Sequence, residues 1–367
     1  MFYLCAMERG NGIMPGQRLR ARGAQTNRAG RFERHARDAL DDGWDIPFAE
    51  RLVKTEVRLE RPRSALTYNR SPDLPFDRSV NPYRGCEHGC TYCFARPSHA
   101  FLNLSPGLDF ETRLIARPGI GAVLAAELGA RSYRVAPVAI GTNTDPYQPC
   151  EADHRVMREV LEVLQAFRHP VAITTKGALI ERDLDILGPM ARDGLLRVGI
   201  SLTTLDPALA RAMEPRAAHP ARRLEVIRRL TAAGVPVRVM VAPVVPGLTD
   251  SEMEAILAAA QAAGAVAASW MMLRLPAEVA PLFRDWLARA VPGRAAKVMA
   301  RLRDVHGGRD YDPGWHRRMR GEGPWSALVE RRFHLAVARL GLNAALPPLR
   351  TDLFRVPPRT GDQLTLF

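Results

Sequence analysis

Apolar residues in the middle of the chain follow two alternating spacings. Short apolar runs are typical of buried strands, and they occur at 138–142, 171–175, 197–202, 235–243 and 266–273. Between these runs, apolar residues recur every three or four positions, as they do in an amphipathic helix. The helical stretches cover 155–167, 180–193, 219–233 and 250–263. Strands that alternate with helices predict a parallel sheet with right-handed crossover connections.

A first strand near 78–83 brings the predicted number of strand–helix units to about six. That number is too small to close an eight-stranded barrel, so the pattern favours either a partial, open barrel or a doubly wound sheet. In both folds, loops at the carboxyl ends of the strands form the functional site. Beyond the last strand the pattern is helical, over 276–290, 294–305 and 323–340, which predicts a helical C-terminal extension.

These patterns divide the chain into five regions. Residues 1–45 are rich in arginine and glycine, and we expect a disordered basic tail. An extended lead-in over 46–77 precedes the barrel region, 78–275, and the helical region, 276–340. Residues 341–367 form a proline-rich, extended tail. Because no run of about 18 apolar residues and no signal peptide is present, we expect a cytoplasmic protein that does not contact a membrane.

The formal net charge of +13 indicates what kind of partner the chain binds. Nearly all positive charge is arginine, since the only lysines are Lys54, Lys176 and Lys297. Genomic base composition explains arginine in place of lysine, but it does not explain the excess of arginine over acidic residues. A basic surface of this kind favours an anionic partner such as nucleic acid.

Three of the five cysteines lie within eight residues and have the spacing C-x3-C-x2-C: Cys86, Cys90 and Cys93. A disulfide framework is not expected in a cytoplasmic chain of this length, so the group predicts a metal site. Thiolates suit either zinc or an iron–sulfur cluster. A closed zinc site needs a fourth ligand, for which His88 and His99 are the candidates. A four-iron cluster with three cysteine ligands leaves one iron open.

The cysteine spacing, with Tyr92 before the last cysteine, matches the signature of the radical SAM superfamily. Further segments resemble the spore photoproduct lyase-like branch, including uncharacterised bacterial members, over about 55–340. The segments that resemble this branch are NPYRGCEHGCTYCFARPSH (81–99), GLDFETRLIARP (107–118), GTNTDPYQP (141–149), ITTKG (173–177), SLTTLD (201–206), MEPRA (213–217), APVVPGLTD (242–250) and RMRGEGP (318–324).

The resemblance implies a partial (β/α)6 radical SAM barrel and a [4Fe-4S] cluster bound by the three cysteines. It also implies that the cluster cleaves S-adenosylmethionine to a 5′-deoxyadenosyl radical, with electrons from a donor such as flavodoxin or ferredoxin. Residues 142–145 would accept hydrogen bonds from the cofactor ammonium group, Lys176 would face its carboxylate and Ser201 its ribose. The implied cofactor-binding residues are Tyr92, Thr142, Asn143, Thr144, Asp145, Lys176, Ser201, Glu214 and Arg216.

Two further residues are candidates for catalysis. Spore photoproduct lyase uses an additional cysteine as a hydrogen donor, so the resemblance suggests Cys150 for this role, with Tyr147 as a second candidate. The alternative for Cys150 is a small buried apolar residue. At the carboxyl end, Gln363–Phe367 (QLTLF) resembles the pentapeptide that docks on the bacterial sliding clamp.

Together these features predict a radical SAM enzyme that acts on DNA, reversing or processing a base lesion. Two alternatives stay open at this point. The first is a radical SAM enzyme that modifies a protein or a small molecule. The second is a nucleic-acid-binding protein that a metal stabilises and that has no catalytic activity.

Overall fold

The computed structural model describes residues 19, 21–32, 53–342 and 346–358. Most of the predicted basic tail lies outside the described residues, as do Cys5 and the clamp-like segment Gln363–Phe367. The strands of the described part are β1 (Glu56–Leu59), β2 (Leu66–Tyr68), β3 (Arg78–Val80), β4 (Tyr83–Arg84), β5 (Arg113–Ala116), β6 (Val138–Ile140), β7 (Val171–Thr175), β8 (Leu196–Ser201), β9 (Val237–Val244) and β10 (Ala267–Met272).

The helices of the same part surround and extend the sheet. They are α1 (Asp109–Thr112), α2 (Ile120–Leu128), α3 (Glu151–His154), α4 (Val156–Ala166), α5 (Leu184–Arg192), α6 (Pro207–Met213), α7 (Pro220–Ala232), α8 (Met253–Ala262), α9 (Val279–Ala290), α10 (Pro292–Val305), α11 (Arg317–Arg320) and α12 (Gly323–Leu340). Short 3-10 helices cover Arg96–Leu102, Ala178–Asp183 and Asp250–Glu252.

The main sheet has seven strands in the order β10-β9-β8-β7-β6-β3-β2. Six of them, from β3 to β10, are parallel to their neighbours, and β2 adds to β3 in the antiparallel direction. Each parallel strand lies beside the previous one of the series, without the reversal of order that marks a doubly wound sheet. The edge strands β10 and β2 do not pair with each other in the described part, so the sheet is a partial, open barrel, as predicted.

The strands of the barrel have one face toward the helices and one toward the interior. On β8, Val198 and Ile200 belong to the buried apolar core, and the alternate positions Arg197, Gly199 and Ser201 line an internal cavity. The helices cover the outer face with apolar side chains at helical spacing, such as Val160 and Leu164 of α4. This packing fixes which side chains face the cavity.

The lead-in and the segment after the cysteines contain more regular structure than the sequence predicts. Strand β1 pairs in parallel with β5, and β4 pairs with β5 in the antiparallel direction, which forms a second, three-stranded sheet. Helix α2 follows β5. Neither β5 nor α2 was expected, since a four-residue strand and a helix that is apolar on most sides give weak periodic signals.

The C-terminal region packs beside the open edge of the barrel. Asp73, in the loop between β2 and β3, accepts two hydrogen bonds from Arg318 of α11, with distances of 2.7 and 2.6 Å. This ion pair joins the β2–β3 side of the sheet to the segment that follows β10, so it spans the gap between the two edges. Within the described ranges, no helix combines the length and the apolar character needed to span a bilayer.

Candidate functional site

A cavity of about 610 Å³ occupies the interior of the partial barrel. Its walls come from the loop that carries the three cysteines, from the inner face of the strands and from the C-terminal region. At one end lie Cys86, Cys90 and Cys93, beside the carboxyl ends of the parallel strands. Cavities in proteins that bind small ligands typically have volumes of about 300–1,000 Å³. The space therefore suits a cofactor and part of a substrate.

The cysteine loop has a left-handed backbone that favours glycine at two positions. Gly85 and Gly89 have φ angles of +77° and +66°, and a Cβ on Gly89 would lie 2.6 Å from Glu111 Oε2. Cys86 N donates to Phe110 O at 2.9 Å, which holds the loop against the segment before β5. Burial raises the pKa of the Cys86, Cys90 and Cys93 thiols. The thiols are therefore protonated without a ligand, and a bound metal would favour their thiolate forms.

Arg96 holds the cysteine loop from inside the protein. Its guanidinium is fully buried and donates to Cys90 O at 3.0 Å, to Gly89 O at 3.1 Å and to Gly107 O at 2.9 Å. It also forms an ion pair with Glu111 at 2.5 Å. One arginine thus satisfies several carbonyl groups of the loop that carries the thiols. Sequence reasoning assigned it no role, although it lies inside the segment 81–99 that resembles the family.

Glu111 joins a third segment to this centre. Its carboxylate accepts hydrogen bonds from Gly23 N at 2.9 Å and from Ala24 N at 2.7 Å, in addition to Arg96. Arg22 donates to Glu111 O at 3.0 Å. Residues 22–24 of the N-terminal region therefore pack against Glu111, which also pairs with Arg96 of the cysteine loop. The arginine-rich composition predicts a solvated tail because it does not reveal this buried acceptor.

Asp145 connects the ends of two strands with the cysteine loop. Its carboxylate accepts hydrogen bonds from Thr175 Oγ1 at 2.6 Å, Lys176 N at 2.7 Å and Tyr147 N at 2.9 Å. His88 Nδ1 lies 3.3 Å from the same carboxylate. Although burial alone would raise it, His88 and these hydrogen bonds lower the pKa of Asp145 to about 2. Because protein donors already occupy both oxygens, Asp145 positions the loops around the cavity.

The other three residues of the predicted ammonium-binding segment differ in their surroundings. Thr142 and Asn143 line the cavity. Thr144 also lines it, but its hydroxyl is buried and donates to Tyr83 O at 3.0 Å. Thr142 and Asn143 therefore provide the oxygen acceptors at this end of the cavity that are most available to a bound ammonium group.

Glu214 forms hydrogen bonds with several other polar groups at the cysteine end. It accepts hydrogen bonds from Tyr92 Oη, from Thr203 Oγ1 at 2.9 Å and from Arg223, and Lys176 Nζ lies 3.9 Å away. Although burial raises it, the charges of Arg223 and Lys176 lower the pKa of Glu214 to about 2. The residue is therefore ionised at neutral pH. Arg223, a buried residue of α7, was missed because a helix rich in arginine normally has solvated arginines.

Lys176 and Ser201 meet at the ends of β7 and β8. Lys176 Nζ donates to Ser201 Oγ at 2.5 Å, and Ser201 Oγ donates to Ala242 O at 2.9 Å. Lys176 also lies over the ring of Tyr92, 5.9 Å from its centroid. The structure thus brings four of the predicted cofactor-binding residues into one network, namely Tyr92, Lys176, Ser201 and Glu214.

Comparison with known proteins identifies the family. Residues 80–260 match the family model of the radical SAM superfamily. The chain belongs to the radical SAM superfamily. Members of this family use a [4Fe-4S] cluster together with S-adenosylmethionine, as the resemblance implied.

Relatives of this radical SAM chain occur in bacteria and archaea. An uncharacterised protein of Mycobacterium tuberculosis is 39% identical over 285 residues, which cover 77% of this chain and 83% of that protein. An uncharacterised protein of Methanocaldococcus jannaschii is 22% identical over 173 residues, covering 47% of this chain and 62% of that protein. Because both relatives are uncharacterised, these similarities do not indicate an activity.

Among solved structures, spore photoproduct lyase has the same fold. Its complex with the dinucleoside spore photoproduct superimposes with a TM-score of 0.56 at 13% sequence identity. The match covers 77% of this chain and 79% of that protein. The likeness to spore photoproduct lyase-like proteins that the sequence suggested is therefore confirmed at the level of the fold.

The residues around the cavity fit the two groups that radical SAM proteins use. Three thiols that form no disulfide with another described residue line one end, on a loop whose glycines leave room for close approach. Lys176, Thr142 and Asn143, at the ends of neighbouring strands, offer one cation and several acceptor oxygens. An amino-acid group such as the methionyl part of S-adenosylmethionine needs this combination.

Four residues with a predicted or alternative role do not line the cavity. Arg216 pairs with Glu87 at 3.0 Å, outside the residues that line it. Tyr147 and Cys150 are buried in the apolar core, and neither belongs to the lining. His99, a candidate zinc ligand, is buried with Nε2 at 3.0 Å from Arg113 O. Arg216, Tyr147 and Cys150 thus do not line the cavity, although Arg216 contacts the cysteine loop through Glu87 and through His88 O at 3.2 Å.

Proposed function

We propose that the chain is a radical SAM enzyme that acts on DNA and reverses or processes a base lesion. The observation that supports the enzyme class is the position of Cys86, Cys90 and Cys93 at one end of a cavity of about 610 Å³. The thiols lie where the strands of the partial barrel end, and polar side chains from β6, β7 and β8 surround them. This is an arrangement for a reaction inside a shielded cavity.

In this proposal, Cys86, Cys90 and Cys93 hold the [4Fe-4S] cluster. When bound, the cluster and S-adenosylmethionine supply an adenosyl radical that removes a hydrogen atom from the substrate. Thr142 and Asn143 accept hydrogen bonds from the cofactor ammonium group. Lys176 binds the carboxylate, and its position is set by Ser201 at 2.5 Å and by Glu214 at 3.9 Å.

The DNA substrate is supported by charge and by the fold. The chain has a formal net charge of +13, which favours a polyanionic partner. Spore photoproduct lyase, which has the same fold, was solved with a dinucleoside photoproduct. A base inside a duplex would have to leave the stack to enter a cavity, and damage lowers the free energy that this requires. Reduction by a flavodoxin or ferredoxin and docking of Gln363–Phe367 on the sliding clamp belong to the same proposal.

The test uses the full chain, reconstituted anaerobically with iron and sulfide and reduced with dithionite. We expect about four irons per chain, since a cubane cluster contains that number, and 5′-deoxyadenosine after addition of S-adenosylmethionine. Cys90→Ala should abolish both. Duplexes that carry defined base lesions are then compared with undamaged duplexes of the same sequence, and only damaged DNA should be altered.

The outcomes separate the proposal from its two alternatives. Formation of 5′-deoxyadenosine without binding or alteration of DNA would favour a protein or small-molecule substrate. Bound zinc, or an intact cluster that never cleaves S-adenosylmethionine, would favour a metal-stabilised binding protein and refute the enzyme.

A further inference from the structure

Two arginines lie inside the barrel, at the end opposite the cysteines. Arg197 is the second residue of β8 and Arg238 the second residue of β9, and both line the cavity. In the register of these strands, Arg238 is opposite Gly199, so Arg197 is two residues away on the same inner face. The two side chains therefore occupy neighbouring inward positions on the floor of the cavity.

Neither arginine has an acidic partner among the described residues. Other cations that are shielded from solvent do have one: the buried Arg96 and Arg223 pair with Glu111 and Glu214, and the half-buried Arg318 pairs with Asp73. In addition, Arg238 Nε is buried without a hydrogen-bond partner in the described part of the chain. Burial, and next the positive charge of Arg197, lower the pKa of Arg238.

Two neighbouring cations without a counter-ion are unfavourable in a partly buried space, because each loses hydration and they repel each other. Proteins normally satisfy such groups, so an unpaired guanidinium that faces a cavity indicates an external anion. A third arginine of the wall, Arg274, has the same property, since its Nε also lacks a partner. Its guanidinium lies 3.9 Å from the centroid of the Phe94 ring.

The floor of the cavity has room for an anion beside Arg197. On the neighbouring strands, Ala139 pairs with Ala172 and Ala172 pairs with Arg197, so this row crosses three strands with two small side chains. All three residues line the cavity. The interior layers of closed barrels are usually filled by large branched residues, and alanine at these positions leaves space.

We propose that Arg197 and Arg238 form a subsite for a phosphate group of the substrate. This inference rests on the proposed function and narrows it to substrates that carry a phosphate. Guanidinium groups bind phosphate oxygens through paired N–H donors, and two of them can share the oxygens of one phosphate. Ser201 is four residues beyond Arg197 on β8, so the subsite lies about 13 Å from the cofactor end at the usual rise of a strand.

The test is calorimetric titration of the full-length, cluster-loaded protein with inorganic phosphate under anaerobic conditions. We expect Arg197→Gln and Arg238→Gln each to weaken phosphate binding at least about tenfold, the size of one charge-assisted contact. Arg197→Lys should restore part of the affinity. Arg228→Gln is the matched control, since it removes the same charge from the outer surface of α7 and should leave the affinity unchanged.

Thermal unfolding without phosphate distinguishes a subsite from a structural role. If Arg197 and Arg238 have no counter-ion until an anion binds, replacing either one with glutamine removes the repulsion between the two guanidinium groups. The melting temperature should then stay equal or rise while the phosphate affinity falls. A variant that melts at lower temperature and still binds phosphate normally would overturn the inference. Absence of phosphate binding to the wild-type protein, or equal binding by all variants, would overturn it as well.

Two further titrations identify the source of the phosphate. Deoxynucleoside 5′-monophosphates that bind more tightly than the matching deoxynucleosides, with the difference lost in Arg197→Gln, indicate a free nucleotide. A short single-stranded oligonucleotide with the same dependence indicates a DNA phosphodiester. These readouts do not require cleavage of S-adenosylmethionine. A wild-type protein that binds phosphate but forms no 5′-deoxyadenosine would therefore refute the proposed function and leave the subsite standing.

Discussion

Replacing Glu111 with glutamine should weaken both the fold and the cluster site. The carboxylate is fully buried and neutralises Arg96, whose guanidinium holds the carbonyl groups of Gly89 and Cys90. Glutamine has nearly the same shape but no charge, so the guanidinium would stay buried without its counter-ion. Removing one partner of a buried ion pair destabilises proteins by about 3–5 kcal/mol. Glutamine keeps one acceptor oxygen, so we expect a loss of about 3 kcal/mol.

A loss of this size is a large part of the usual free energy of unfolding, about 5–15 kcal/mol. The effect is measured by urea unfolding of the cluster-free protein. Iron and sulfide per chain after reconstitution provide the second readout, since a loosened loop should bind less of both. The matched control is Glu225→Gln, which removes an exposed carboxylate that pairs with Arg228 and Arg229 on the surface of α7. This control should change neither measurement.

The reasoning is refuted if Glu111→Gln and Glu225→Gln give the same unfolding midpoint and the same iron content. In that case, water or relaxed backbone groups would replace the carboxylate at Arg96, and the buried pair would not position the loop. A stable Glu111→Gln variant with low iron would instead separate the two effects, because the loop would need the charge even though the fold would not.

Two other perturbations follow from the structure. Burial lowers the pKa of His169 from 6.5 to about 4, so between these pH values the unfolded chain binds a proton and the folded chain does not. The free energy of unfolding should therefore fall by at most about 3 kcal/mol as the pH drops from about 6.5 to 4. His169→Gln should reduce this pH dependence in unfolding curves. Gly141→Ala should greatly lower the yield of folded protein and its free energy of unfolding, because at φ +85° the new Cβ would lie 1.9 Å from Thr174 O. The control Gly119→Ala, at φ +78° in open space, should lower the free energy of unfolding by only about 1 kcal/mol. Equal effects of the two variants would refute the steric argument.

The parallel strands of the barrel could be predicted because each has a continuous apolar run. The runs at 171–175 and 197–202 correspond to β7 (Val171–Thr175) and β8 (Leu196–Ser201). A strand of a buried parallel sheet has apolar residues on the face that packs against the helices. Its other face is also buried and often carries small or apolar residues, so the whole strand forms one apolar run. Strand β1 and strand β5 have four residues each, with partly exposed positions, so their pairing depends on contacts between distant segments that no local pattern reveals.

The cysteines and the polar residues at strand ends could also be predicted, since ligand type and spacing are local properties. The charge pairs that hold them could not. Arg96 and Glu111 are 15 residues apart, and Arg223 reaches Glu214 from the first turn of a helix whose composition suggests a solvated surface. Arg197 and Arg238 alternate with apolar residues, which normally indicates a strand with one solvent-exposed face. Only the curvature of the sheet into a partial barrel turns that face inward.

The arrangement of charge assigns different tasks to the two ends of the cavity. At the cysteine end, Asp145 and Glu214 have a pKa of about 2, and donors from the protein occupy their oxygens. Ionised carboxylates that are already hydrogen-bonded are poor proton acceptors, so they position His88, Lys176 and Tyr92. Positions at this end are thus set before a cofactor arrives. At the floor, Arg197 and Arg238 have no such partner within the described residues, so in the proposed subsite a phosphate of the substrate supplies the missing negative charge.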